Sequence, residues 1–364
     1  MTERESAILL NLLPALYPTR VQRLVEAFGT LRRACHASAD AIAQTCGFSL
    51  ALAESMAAHC RRHELLEKEL ARAVQAGVHV LTRDDASYPP QLLTIADPPL
   101  VLYVRGALPD PSAPAMAIVG ARLASAYGLT CAEQFAQALA QRGITIVSGF
   151  ARGIDAAAHR GAIAANGQTI AVLGGGFEHL YPSEHAKLAD IIAQHGAVIS
   201  EYPMQTEPLA HHFPRRNRVI SGLSLGVIVV EAGARSGALI TADMALEQGR
   251  DVFAVPGPIH ATTSAGTNHL LKQGARMVTS VDDIFEELDA LSPPQPVVPV
   301  LTSTDTFSSI EAQILSCVEG QAPSSLDAIA SRSGIELPRV SAALMHLELQ
   351  HAVQQLPGKR FIRR

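Results

Sequence analysis

No run in the 364 residues approaches the roughly 20 apolar residues that a membrane-spanning helix needs. The N-terminus carries Glu3 and Glu5 and no long apolar segment, so no secretory leader is expected. Cysteine is scarce: Cys35, Cys46, Cys60, Cys131 and Cys317 are scattered, with no C-x-x-C pair. That argues against both a zinc site and a disulfide framework. Basic charge is not in excess, with 29 Lys and Arg against 34 Asp and Glu and a formal net charge of −5. Recognition of a polyanion would have to come from a local patch. Two nucleotide fingerprints are missing. After Gly174 and Gly176 the sixth position is His179, so G-x-G-x-x-G is not formed, and G-x-x-x-x-G-K-[ST] is not found. The chain is therefore expected in the cytoplasm, off the membrane and without a cofactor.

What is present is organised around Ile144–Gly161. Ile144 to Val147 is a short β-branched run of the kind expected in a buried parallel strand. Ser148-Gly149 ends it, and after a short loop Ile154–His159 is rich in helix formers. Strand, glycine turn, helix is the junction at which open α/β sheets bind ligands. The free N–H groups of a helix start suit an anion, and Arg152 sits in the turn. An ordinary strand–helix turn with a solvated arginine has the same pattern. Asp155 and His159 stand four residues apart. They read as a charge at a helix N-terminus and a histidine packed beside it.

The rest of the chain falls into segments. Residues 1–75 show helical spacing throughout, broken by Pro14, Pro18, Gly29 and Gly47, and read as a small helical domain. Residues 76–289 form the main domain. Its first part bridges to the sheet, with strands at Val78–Leu81 and Leu100–Val104. From 115 onward apolar runs alternate with amphipathic stretches: Met116–Val119, Ile144–Val147, Thr169–Leu173, Ala197–Ile199, Val227–Val230, Val252–Val255 and Arg276–Val278. That alternation predicts a doubly wound parallel sheet. Residues 290–305 hold four prolines and read as a linker. Residues 306–364 read as three helices and a hairpin around a Pro-Gly-Lys turn, the winged-helix pattern.

Five core strands end in glycine-rich or polar loops. These are Val119–Arg122, Ser148–Gly153, Leu173–Gly176, Ser200–Pro203 and Glu231–Gly237. The carboxyl ends of parallel strands share one edge, so the loops can line one crevice. The densest basic cluster is His211-His212-Phe213-Pro214-Arg215-Arg216-Asn217-Arg218. Arginines with one aromatic suit a single-stranded nucleic acid, phosphates meeting the guanidinium groups and a base stacking on the ring. A surface loop with Phe213 packed in the core fits the same residues. The two histidines lack a carboxylate or cysteine at ligand spacing, so no metal is expected.

From Tyr88 to Ala275 the chain resembles the DNA-processing protein A (DprA, or Smf) family. The resemblance is carried by Ile118–Arg122, Ser148–Asp155, Tyr181-Pro182, Ser200–Pro203, Phe213–Gly222, Ser236–Ala242 and Val255–Gly257, in that order. It implies a Rossmann-like sheet flanked by a sterile-alpha-motif-like helical domain and a winged helix. It further implies a non-catalytic binder of single-stranded DNA that shields incoming DNA in natural transformation, helps load the RecA recombinase, and dimerises through the Rossmann-like domain. Carried onto this sequence, Arg122 and the segment Arg215, Arg216, Asn217, Arg218 are the expected phosphate contacts, with Phe213 as the stacking ring. Gly120, Ser148, Gly149, Arg152, Gly153, Gly174, Gly175, Ser236 and Gly237 complete the expected DNA-binding set. Ala121 stands where the family often has Ser, and Phe150 where a smaller aliphatic is common. Phe150 is thereby a candidate extra stacking face.

The alternative is enzymatic. The fold is similar to that of nucleoside-monophosphate phosphoribohydrolases, which carry P-G-G-x-G-T-x-x-E after the fifth strand. The matching stretch here, Glu231–Thr241, has no Glu at the catalytic place. A duplex-DNA role for the winged helix rests on Arg339 and His346, beside Glu336 and Glu348.

Overall fold

The computed structural model describes residues 1–288, 309–318, 324–349, 352–356 and 360–363. The expected linker at 290–305 and the Pro-Gly-Lys turn lie outside the described residues. The chain divides into two compact units, Met1–Ser292 and Pro293–Arg364.

In the first unit six helices come first: α1 (Glu3–Asn11), α2 (Pro18–Phe28), α3 (Leu31–His36), α4 (Ala39–Cys46), α5 (Leu50–Cys60) and α6 (His63–Gln75). Their ends follow local chemistry. Thr2 and Glu5 form a reciprocal capping box on α1. Thr30, Ser38 and Ser49 cap α3, α4 and α5 with their hydroxyls, each cap contributing about 1 kcal/mol. Pro18 opens α2, where its missing N–H leaves nothing unpaired.

Next come β1 (Val78–Thr82), α7 (Pro90–Leu93), β2 (Val101–Gly106), β3 (Ala115–Val119), α8 (Ala126–Gln141), β4 (Thr145–Ser148), α9 (Ile154–Ala164) and β5 (Thr169–Val172). They are followed by α10 (Ala186–Gln194), β6 (Gly196–Ser200), α11 (His212–Gly222), β7 (Gly226–Val229), α12 (Gly237–Glu247), β8 (Asp251–Ala254), α13 (Ala265–Lys272), β9 (Arg276–Met277) and α14 (Asp282–Glu287). The strands form one sheet in the order β1-β2-β6-β5-β4-β3-β7-β8-β9. From β6 to β9 every pairing is parallel, while β1 and β2 add an antiparallel edge. The doubly wound sheet expected from the alternation of strands and helices is present.

Both faces of the sheet are covered, which is why its strands read as continuous apolar runs. Successive residues of β3 divide between them: Met116 and Ile118 pack with α8 and α9, Ala117 and Val119 with α11 and α12. The N-terminal helices do not keep a core to themselves. Ile8, Leu9, Leu10 and Met56 share a cluster with Val78, Tyr103, Ala171 and Val198 of the sheet. At about 1.5–3 kcal/mol for each large apolar side chain fully buried, this contact fixes the helical segment to the sheet.

The second unit holds α15 (Ser309–Cys317), β10 (Ser324–Ser325), α16 (Leu326–Ser333), α17 (Leu337–Leu349), β11 (Val353–Leu356) and β12 (Arg360–Arg363). Ile314, Ile329, Val340, Leu344 and Phe361 form its core. The expected three helices and hairpin are joined by a short third strand, β10, which pairs with β12.

Candidate nucleic-acid interface

The chain order of the sheet reverses at β3. Strands β4, β5 and β6 lie to one side of it and β7, β8 and β9 to the other. Connections leaving a switch point diverge to opposite faces and open a crevice at the carboxyl ends of the strands. Here that crevice has a volume of ≈ 790 Å³. The loops after β3 and β7 and the first turns of α11 and α12 form its walls. Of the expected residues, Gly120, Arg122, Phe213, Arg216, Asn217, Ser236 and Gly237 line it.

Arg122 is exposed and makes no ion pair among the described residues; its guanidinium lies 5.0 Å from the centroid of the Phe213 ring. Phe213 is half-buried. It also meets the guanidinium of Arg216, 5.9 Å from its centroid, the edge of Tyr181, at 5.8 Å between centroids, and the backbone of Gly174. A Cβ on Gly174 would come within 2.9 Å of the ring. Phe213 is thus a wall of the crevice, neither a core residue nor a free one.

Behind it Arg216 is buried. It donates to the carbonyl of Val172 and, through Nε, to Asn217 Oδ1 at 3.2 Å. Burial lowers its pKa to about 10, opposed by the charge of Asp155, so it stays cationic at neutral pH. Among the described residues, Asp155 is the only carboxylate side chain lining the crevice. Burial pushes its carboxyl upward, and the Arg216 charge opposes that shift; the amide of Ala151 donates to it at 3.3 Å. Asn217 Nδ2 donates to Gly237 O at 3.3 Å and ties α11 to the start of α12, which Ser236 caps.

The cluster Arg215–Arg218 corrects the expectation that its arginines face one crevice. It is the first part of α11, with Pro214 in a first turn that tolerates proline. Successive helical residues turn by about 100°, so the three side chains diverge. Arg216 points to the crevice. Arg215 points into a second cavity. Arg218, 4% exposed, donates to Asp97 at 2.6 Å and to Glu201 at 2.7 Å. It anchors α11 and is closed off from any phosphate.

Other expected contacts are also placed elsewhere. Ser148 is buried and donates to the carbonyl of Ile118 at 2.6 Å. Gly149 lies beneath the crevice, where a Cβ would sit 2.3 Å from Asp155 Oδ2. Gly153 opens α9 at φ +74° and packs against the carbonyl of Ala121. Gly175 is buried against Thr206 and Pro208. Arg152 is exposed but paired with Glu184 and lies outside the crevice lining. Phe150 offers no stacking face: it is in the core, edge-on to His185. His159 is buried, with Nε2 2.8 Å from the carbonyl of Gly149 and Nδ1 2.7 Å from Thr169 Oγ1. It holds the loop after β4 in place.

Two acids at strand ends are engaged by the fold. Glu231 accepts from the amide and hydroxyl of Ser125, each at 2.8 Å, and Glu201 accepts from Arg218. Sequence reasoning missed Leu123, 87% exposed at the crevice mouth, and Thr262 and Thr263 from the loop after β8. The Pro-Gly that ends that strand was the available signal. Among the described residues no helix is long and apolar enough to cross a membrane, and no group of His, Cys, Asp and Glu could hold a metal ion.

Residues 79–289 match the family described as DNA recombination-mediator protein A, and residues 292–359 match the DprA winged helix domain. The chain is 41% identical to Protein Smf of Escherichia coli (strain K12) over 327 residues, 89% of this chain and 87% of that protein. It is 45% identical to DNA processing protein DprA of Bacillus subtilis (strain 168) over 224 residues, 61% of this chain and 75% of that one. The X-ray structure of DNA processing protein A from Streptococcus pneumoniae is similar at a TM-score of 0.69 and 35% identity, over 79% of this chain and 98% of that one. DNA processing protein A from Helicobacter pylori, whose structure was described for its single-stranded DNA binding mode, is similar at a TM-score of 0.52 and 29% identity. That match covers 58% of this chain and 94% of that one. The chain belongs to the DNA recombination-mediator protein A (DprA/Smf) family.

Proposed function

We propose that the crevice at the switch point binds single-stranded DNA in a sequence-tolerant way. The observation that carries this is the pairing of an exposed, unpaired Arg122 with the half-exposed Phe213 ring, at the mouth of a crevice whose one carboxylate faces a buried arginine. A cation and a ring side by side match one nucleotide: phosphate to guanidinium, base to ring. Gly120, Asn217, Ser236 and Gly237 add close backbone and polar groups. The Helicobacter pylori relative, described for binding single-stranded DNA, supports the reading.

On this reading the protein is a non-catalytic, cytoplasmic binder. It shields incoming DNA during natural transformation, hands it to RecA and works as a homodimer through the Rossmann-like domain. The engagement of Glu231 by Ser125 and of Glu201 by Arg218 argues against the phosphoribohydrolase alternative, since neither acid faces the crevice. The test is Arg122→Ala, titrated with oligo-dT over a salt series. Losing one phosphate contact should weaken binding and lower the slope of log K against log salt by about 0.7. An unchanged slope would remove Arg122 from the DNA path.

A further inference from the structure

A second cavity, of ≈ 630 Å³, lies at the same edge of the sheet, between the N-terminal helices and the segment leading into α11. The first turn of α11 is the wall between the two. Phe213 and Arg216 face the crevice; His211, His212 and Arg215 face the second cavity. Arg215 lies 5.4 Å from the ring centroid of Tyr17 and 5.9 Å from that of Tyr202. Tyr17 is 50% exposed, and the guanidinium of Arg20 is 5.5 Å from its centroid.

Helix α6 contributes two more cations to the lining. Lys68 is exposed and makes no ion pair among the described residues. Arg72 meets Glu178 at 3.6 Å, in a half-exposed pair of the kind that holds weakly. The two acids of the cavity are engaged: Glu201 by Arg218 at 2.7 Å and, at 3.7 Å, by Arg215 itself, and Glu69 by the amide of Met204 at 2.8 Å. Lys68 therefore stands open, and Arg72 and Arg215 keep only long ion pairs of 3.6 and 3.7 Å; cations around an exposed ring are the composition of a groove that tracks a nucleic-acid backbone.

We propose that this second cavity extends the DNA track. A single strand leaving Phe213 crosses the first turn of α11, its phosphates meeting Arg215, Lys68 and Arg72 and a base meeting Tyr17. The inference rests on the reading of the first crevice given above. The recognised chemistry is a base carrying a phosphate, which a free mononucleotide also offers. The strand is favoured because one helical turn, about 5.4 Å, joins this cavity to the first.

The test uses the full chain and labelled oligo-dT of about 4 to about 16 nucleotides. Short oligomers, held in the first crevice, should bind the wild type, Tyr17→Ala and Lys68→Ala equally. Long oligomers should bind the wild type more tightly. Tyr17→Ala should lose at least about fivefold of that gain, and Lys68→Ala should lower the salt slope by about 0.7 for long oligomers only. Both residues are exposed, and an unchanged melting curve checks that the variants fold. Variants matching the wild type at every length would overturn the proposal. So would saturable binding of thymidine monophosphate that depends on Tyr17 and is not displaced by long oligo-dT. Arg122→Ala, titrated with the shortest oligomer, separates the two readings: full binding there counts against the first crevice, not the second.

Discussion

Phe213 is half-buried, so the proposed role on DNA and its part in the fold can be measured apart. Phe213→Ala should cost about 1–3 kcal/mol of oligo-dT affinity and leave the salt slope unchanged, since a stacking face carries no charge. Its cost to stability should fall short of the about 3–5 kcal/mol of a fully buried phenylalanine. Titration beside thermal melting decides this, and a large drop in melting temperature with affinity intact would make Phe213 structural. His159 gives a pH test. The carbonyl of Gly149 only accepts, so the neutral ring carries its proton on Nε2. Burial lowers its pKa to about 4, against about 6.5 unfolded. Between those values the unfolded chain binds more protons, so stability falls as pH falls. From pH 7 to pH 5 this histidine alone should remove about 2 kcal/mol. His59, His185 and His212 are also held down by burial and act in the same direction. Urea melts of the wild type and His159→Gln should differ in pH dependence by His159's share; identical curves would contradict the assignment.

Helix α11 is the element on which the site turns, and it was the least legible in the sequence. Its apolar residues are few, Pro214 sits near its start, and its arginines suggested an exposed chain. The 3.6-residue period then sends Arg216 to the crevice and Arg215 and Arg218 to opposite sides of the shared Glu201, one lining the second cavity and one closed off, which composition alone does not reveal. The partners that decide those environments, Glu201 and Asp97, are distant in sequence. Arg218→Ala would leave Glu201 buried without its main partner, and a cost of about 3–5 kcal/mol is expected. The drop should appear in the melting temperature at neutral pH. A variant that melts like the wild type but loses DNA affinity would restore Arg218 as a contact. The central strands, by contrast, were legible nearly to the residue, because burial on both faces writes β3 to β7 as apolar runs ending in glycine or a polar residue.

For the whole molecule, the alternation of strands and helices was enough to predict the sheet, and the loops after β3 and β7 were readable as parts of one crevice. What local patterns could not show is how the N-terminal helices meet the sheet, since the shared core joins Leu10 to Tyr103 and Val198 across long stretches of chain. Nor could they separate the glycines that open to the crevice, Gly120 and Gly237, from those packed against its lining side chains, Gly149 and Gly174, or buried away from it, Gly175. On the proposed function, a chain of net charge −5 binds nucleic acid through a local crevice of arginine and ring. A duplex keeps its bases stacked and unavailable to Phe213, whereas a single strand offers both base and phosphate. The most direct measurement is an electrophoretic shift of the full chain with oligo-dT and with a blunt duplex of the same length, across a salt series. A crevice that stacks an unpaired base should prefer the single strand strongly at every salt concentration, and equal affinity for the duplex would rule that mode of binding out.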